Sequence, residues 1–291
     1  MESAITGDSS EIPREALAPA LPRESVPPSH ASQDAETQRG TGIADVAKAR
    51  ELFDAGRVVE ARAALGAAIN RTPGSAPPRD VRELAARIAD ESVFSSRITR
   101  DDPLVEVYTV QPNELLSSIA RRFQVPYEIV MRINNISDAA RLRAGQRIKI
   151  PRGPFHARIH LSEFRIDLYL QDTYVRSYPV GVGRSDTGTP AGVWQVSDRL
   201  VDPTYYPPPS APGRPIVPGG RPDNPLGTRW IGLKGVEGGA VGQQSFGVHG
   251  TNEPDSVGSA ASMGCIRMRD EDVQFVYDAL TPGHSTVTTV R

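Results

Sequence analysis

One cysteine, Cys265, stands among 291 residues, so no internal disulfide can form and packing alone must hold the fold. Cysteine usage therefore says nothing about the redox compartment. No run approaches the ~18 apolar residues of a membrane-crossing helix. The opening "MESAITGDSSEIPREALAPA" has neither a basic n-region nor an apolar h-region, so no export signal is visible in this sequence. Excess charge of either sign is also lacking: 33 Lys and Arg against 35 Asp and Glu leave a net charge of −2 and a pI near 6.2. That excludes a global polycation and a nucleic-acid partner of the kind such a charge would attract, so recognition must be local.

What is present comes in blocks. Residues 1–42 are rich in Pro, Ser, Ala and acid, with seven acidic and three basic side chains. They show no hydrophobic period, so burial cannot repay the entropy of ordering them, and a disordered tail is expected. Residues 43–100 form a helical segment. "DVAKARELFDAGRVVEARAALGAAINRTPG" carries apolar residues at helical spacing with Gly56 as a break, which predicts a helical hairpin, and a third helix is expected around 79–94. The pattern through Gly56, Glu60, Ala61 and Pro73 resembles one tetratricopeptide-type repeat. A spacer and a docking element for a protein partner are both open readings, because a single repeat needs neighbours to bury its faces.

Residues 104–152 read as a strand at 106–110, a helix at 115–123, a second helix opened by Pro126, and a closing strand at 146–150. This βααβ unit resembles a LysM domain through "YTVQP", "LSSIARRF", "NNI" and "LRAGQRIKIP". The resemblance implies binding of N-acetylglucosamine-containing glycans, with Gln111, Pro112, Asn113 and Asn135 at the groove. The usual Gly-Asp-Thr after the first strand reads Asn113-Glu114-Leu115 here. Eight basic and four acidic residues between Leu104 and Arg152 suit an anionic surface, although a solvated basic face explains them as well.

From residue 155 to 291 the pattern turns to β structure, with alternating strands in "ARIHLSEFRIDLYLQDTYVRSYPVGVG" and further strands at 192–197, 229–233, 245–249 and 265–268. A helix is expected from about 271 to 280, and "STVTTV" closes the sheet. Between these strands "VDPTYYPPPSAPGRPIVPGGRPDNPLGT" holds too much Pro and Gly for a central element and must be a long loop. The fold class is thus multidomain: a mainly-β sandwich or barrel, a βααβ unit and an N-terminal α-helical hairpin.

His249 precedes Cys265 by sixteen residues. Thiol catalysis needs a thiolate, a base to make it, and N–H donors where negative charge develops. His249 supplies a base, and the N–H groups of Gly264 and Cys265 could face an oxyanion. Spacing alone leaves a buried structural thiol as good a reading. The other histidines build no competing site, since His156 and His160 lack a nearby third ligand.

The order of "RIDLYL", "YPVGVGRSDTGTPAGVWQV", "NPLGTRWIGL", "FGVHGT" and "SMGCIRM" closely resembles the L,D-transpeptidase catalytic domain of the YkuD type. That resemblance implies Cys265 as the acylated nucleophile, His249 as its general base, the Gly250 carbonyl as the group orienting the ring, and the Gly264 N–H at the oxyanion. Ser262, Met263 and Arg267 are the implied substrate-side residues, with Arg267 read equally as a carboxylate binder or a strand brace. The family most often has a second histidine where this chain has Met263. The implied activity is acyl transfer from peptidoglycan tetrapeptide stems with D-alanine release, needing no metal or organic cofactor. The implied partners are stem peptides and glycan strands, and the implied location is the cell envelope. Two alternatives stay open: a cysteine hydrolase or amidase of the same fold, and a non-catalytic LysM wall-binding protein.

Overall fold

The computed structural model describes residues 30–71, 76–186, 188–208, 213–243 and 245–291. Three helices come first: α1 (His30–Asp54), α2 (Val58–Asn70) and α3 (Arg79–Ser92). Residues 1–29 of the expected tail lie outside the described residues. Its remainder, expected to be unstructured, is the first part of α1. That helix is anchored downstream, where Ala49, Leu52 and Phe53 are buried, and extending an existing helix adds one hydrogen bond per residue without a new nucleus. Gly56 makes the break between α1 and α2 at φ 73°, while the Arg57 N–H closes the turn on the Leu52 carbonyl at 2.9 Å. Val58, Ala61 and Leu65 of α2 and Val81, Leu84 and Ile88 of α3 complete this core.

The second unit is β1 (Val105–Thr109), α4 (Leu116–Arg122), α5 (Tyr127–Asn134) and β2 (Arg147–Pro151), the expected order. β1 and β2 pair antiparallel with Val107 opposite Lys149. Pro126 caps α5 at its start, and Asn135 ends it in the left-handed region at φ 54°. Asn134 stitches helix to strand: its side-chain amide donates to the Val130 and Lys149 carbonyls, and its oxygen accepts the Lys149 N–H at 2.7 Å.

Lys149 joins this unit to the helices. The side chain is 1% exposed, and Nζ donates to the carbonyls of Ser92, Ser95 and Arg97 at 2.6, 3.0 and 2.6 Å. An ammonium has three donors, and the carbonyls left over at and beyond the C-terminal end of α3 accept all three. Burial nonetheless draws its pKa down to about 8. A second buried tie runs from Arg62 of α2 to Asp102, just before β1.

The remaining strands are β3 (Phe155–His160), β4 (Arg165–Leu170), β5 (Thr173–Pro179), β6 (Val182–Gly183), β7 (Gly192–Val201), β8 (Arg229–Gly238), β9 (Phe246–His249), β10 (Ala260–Ser262), β11 (Ile266–Arg267) and, after helix α6 (Asp270–Ala279), β12 (Thr286–Val290). Eight of them form one mixed sheet in the order β11-β9-β8-β7-β12-β3-β4-β5, while β6 and β10 pair separately in parallel. The mainly-β unit is therefore a single curled sheet. Bulges at Val193/Trp194, Val196/Asp198 and Leu168/Tyr169 add the local twist that curling needs. α6 covers one face, burying Val273, Val276 and Ala279 among core residues that include Trp194, Val196, Ile231 and Val248.

The β7–β8 connection is the expected Pro-rich loop. Asn224, 1% exposed, ties it internally by donating to the Pro203 and Pro218 carbonyls at 2.8 and 3.2 Å and accepting the Leu226 N–H. The βααβ unit docks on the sheet through Arg132 with Asp278, Glu128 with Arg199, and Thr281 donating to the Gln124 carbonyl. Phe94, after α3, packs against Phe155 and Phe275, and Arg176 of β5 lies over both Phe94 and Phe275 while pairing with Asp90.

Candidate active site

His249 closes β9, which lies between β8 and β11. Trp230 and Arg267 are its partners in register, and the Met268 N–H donates to its carbonyl at 2.9 Å. The backbone at His249 is thus held from both sides before its side chain does anything. The imidazole is 5% exposed and stacks on the Trp230 ring, with centroids 5.8 Å apart and planes 19° from parallel. Nδ1 lies 2.6 Å from the Gly250 carbonyl oxygen. A carbonyl can only accept, so Nδ1 carries the hydrogen and Nε2 keeps its lone pair.

The neighbouring glycines make this packing feasible. A Cβ on Gly247 would meet the Trp230 ring at 2.6 Å, and one on Gly250 would meet Asp270 Oδ1 at 2.0 Å. Asp270, the first residue of α6, also accepts the Thr228 N–H at 3.2 Å, so the helix start, the end of the Pro-rich loop and the carbonyl that orients the ring are tied together.

Cys265 sits at the end of a braced turn. Ser262 Oγ donates to the Cys265 carbonyl at 2.6 Å and accepts the Gly264 N–H at 3.1 Å. Thr189 Oγ1 donates to the Gly264 carbonyl at 2.7 Å and accepts the Gly183 N–H. Gly264 occupies φ 118°, a conformation L side chains rarely adopt. Its N–H, expected to face the oxyanion, is bonded to Ser262 Oγ in this structure. The thiol donates to the Ser245 carbonyl at 3.5 Å.

His249 and Cys265 line one cavity of about 630 Å³, together with Ser262, Met263 and Arg267. Tyr205, Tyr206, Pro207 and Leu226 of the Pro-rich loop form one of its walls, so the long loop belongs to the site. Burial lowers the His249 pKa from 6.5 to about 4, opposed by the Gly250 hydrogen bond and assisted by the nearby Arg267 charge. Burial pushes the Cys265 thiol up, opposed by the Gly247 N–H and by Arg267. Both shifts favour the neutral forms, imidazole and thiol, at neutral pH.

Arg267 donates to Glu253 at 2.7 Å with its side chain 17% exposed, and its backbone N–H and carbonyl both pair with Gly181. These bonds tie β11 to Gly181 and to Glu253. Met263 is 37% exposed at the cavity edge. Trp230, Asp270 and Thr189 were not singled out by the sequence. The Gly250–Asp270 approach had no local signal, since twenty residues separate the two in sequence.

The expected glycan positions fall in two places. Gln111, Pro112 and Asn113 form the exposed turn after β1, where Glu114 accepts from the Gln111 N–H, the Tyr108 hydroxyl and Arg122. These bonds hold the Glu114 carboxyl below its ordinary range and tie the turn to β1 and α4. Asn135 lines a separate cavity of about 530 Å³ with Asp138, Arg141 and Gln146, and the three turn residues do not contribute to it.

Residues 154–289 match the L,D-transpeptidase catalytic domain, and residues 108–151 match the LysM domain. A Bacillus licheniformis protein bearing the name L,D-transpeptidase YkuD is 32% identical over 173 residues, covering 57% of this chain and 88% of that protein. The Bacillus subtilis protein of the same name is 31% identical over 190 residues, covering 63% and 98%. An L,D-transpeptidase structure from Mycobacterium smegmatis aligns with a TM-score of 0.38 at 14% identity, over 50% of this chain and 64% of that one. The chain belongs to the L,D-transpeptidase family, with a LysM domain preceding the catalytic domain.

Proposed function

We propose that this protein is a peptidoglycan L,D-transpeptidase that works by cysteine acyl transfer. The observation that carries the reading is His249 Nδ1 bound to the Gly250 carbonyl, which leaves Nε2 basic inside the cavity that also holds Cys265. The thiol attacks the carbonyl of the third stem residue while Nε2 takes its proton. The Cys265 N–H holds the oxyanion. As the tetrahedral centre collapses, the C–N bond to the terminal D-alanine breaks and the imidazolium returns the proton to the leaving amine. A thioester remains on Cys265. The side-chain amine of a second stem, or water, then takes the acyl group, with His249 again moving the proton.

The LysM domain supplies the reading of wall attachment, through glycan contacts at Gln111, Pro112, Asn113 or Asn135. Peptidoglycan as substrate puts the working protein in the cell envelope. Among the described residues no helix is long and apolar enough to cross a membrane. A protein partner for the helical segment is no part of this reading: Tyr174 of β5 is buried in the helical core and Tyr169 of β4 packs against it.

The test is product analysis with disaccharide-tetrapeptide. The native protein should yield cross-linked dimers and released D-alanine, and Cys265→Ala should yield neither. Tripeptide without dimers would make it a hydrolase. Absence of both D-alanine release and a covalent adduct with a carbapenem would leave a wall-binding protein.

A further inference from the structure

The cavity around Cys265 takes two guanidinium groups from the chain, and no carboxylate of the described residues lines it. One of the two is spoken for: Arg267 is mostly buried and hydrogen-bonded to Glu253, and its backbone is held by Gly181. The other, Arg214, is exposed on the Pro-rich loop and pairs with no carboxylate among the described residues. Around it the lining is largely apolar, with Tyr205, Tyr206, Pro207, Leu226 and Met263 contributing.

Such a cavity is selective by charge. An anionic group entering it loses water and needs a cation that still has donors to give. His249 is neutral there, and Arg267 already gives a hydrogen bond to Glu253. Arg214 alone offers an uncompensated guanidinium, whose planar fork matches a carboxylate with two parallel hydrogen bonds.

We propose that Arg214 is the specificity-determining residue of the donor site, recognising the free carboxylate at the C-terminus of the donor peptide. The inference rests on the acyl-transfer reading above, because only then does a peptide terminus lie next to Cys265. Its consequence is that donors must end at the residue to be expelled. A chain extended or capped there has no charge to offer Arg214. The expelled amino acid departs with its carboxylate, and the acceptor then meets a thioester in a cavity whose cation is free again.

The experiment uses the full chain and two donors that differ only at the terminus: disaccharide-tetrapeptide as the free acid, and the same molecule with a C-terminal carboxamide. Release of D-alanine or D-alaninamide is followed for native protein, Arg214→Gln and Arg214→Lys. Native protein should prefer the free acid by about 30-fold in kcat/KM, the scale of one charge-assisted pair. Arg214→Gln should lose that preference by slowing the free acid alone, and Arg214→Lys should keep part of it. Native protein that uses both donors equally well overturns the proposal. Arg214→Gln that slows both donors alike overturns it too, because the side chain would then only be packing the wall. Native protein that releases nothing from either donor and forms no carbapenem adduct overturns the acyl-transfer reading, and this proposal with it.

Discussion

Acidification should destabilise this protein through His249, and the size of the effect follows from its burial. The imidazole is 5% exposed, and its pKa falls from 6.5 to about 4 in the folded chain. As the pH drops below 6.5 the unfolded chain takes up a proton that the folded chain refuses, so stability is lost progressively down to about pH 4. The full shift corresponds to about 3 kcal/mol, of which about 2 kcal/mol is gone by pH 5 and almost nothing at pH 7. Urea unfolding at the two pH values, compared between native protein and His249→Gln, isolates this contribution, because other carboxylates and histidines titrate in both. The native protein should lose about 2 kcal/mol more than the variant between pH 7 and pH 5. Equal losses would mean that the imidazole is protonated in the folded state, and the neutral thiol–imidazole pair would be wrong. Catalysis gives a second reading of the same group: the acid limb of kcat/KM should fall near pH 4 rather than near 6.5.

Three further outcomes are expected. Gly250→Ala should drive a Cβ into Asp270 Oδ1, displace the carbonyl that orients His249 and cut kcat by about 10-fold or more, and Gly250→Ala/Asp270→Ala should recover part of it. Met263→His, at the cavity edge, should change the ratio of dimer to tripeptide, and an unchanged ratio would make that position neutral. Lys149→Met removes the three donors serving Ser92, Ser95 and Arg97 and should cost about 3 kcal/mol, read as a Tm lower by about 6–12 °C. A Tm within about 2 °C of native would show that those carbonyls have other partners.

Local signals did most of the work in placing elements. Gly56 ends α1, Pro126 opens α5, and the acids at Asp270, Glu271 and Asp272 front α6, each through chemistry confined to a turn or two. The upstream reach of α1 was missed because that stretch has no amphipathic period of its own. Its helix continues from residues whose burial is decided elsewhere. The Pro-rich loop was legible as a loop, while Asn224, which gathers Pro203 and Pro218, was not, since one Asn among many polar residues carries no mark of burial.

The site divides in the same way. Spacing left His249 and Cys265 open between a chemical pair and a buried thiol, and only the family resemblance grouped them with the Gly250 carbonyl. That Arg267 bonds Glu253 and that Trp230 stacks on the imidazole are facts about groups well apart in the chain, brought together by the fold. The sequence by itself determined most of the helices and strands and the two family motifs, since propensity, periodicity and capping act within a few residues. Tertiary structure alone decided the burial of His249 and Cys265 and which charged groups share their cavity. Burial and the pairing of Arg267 with Glu253 depend on which distant segments share a volume, and no short window of sequence records that.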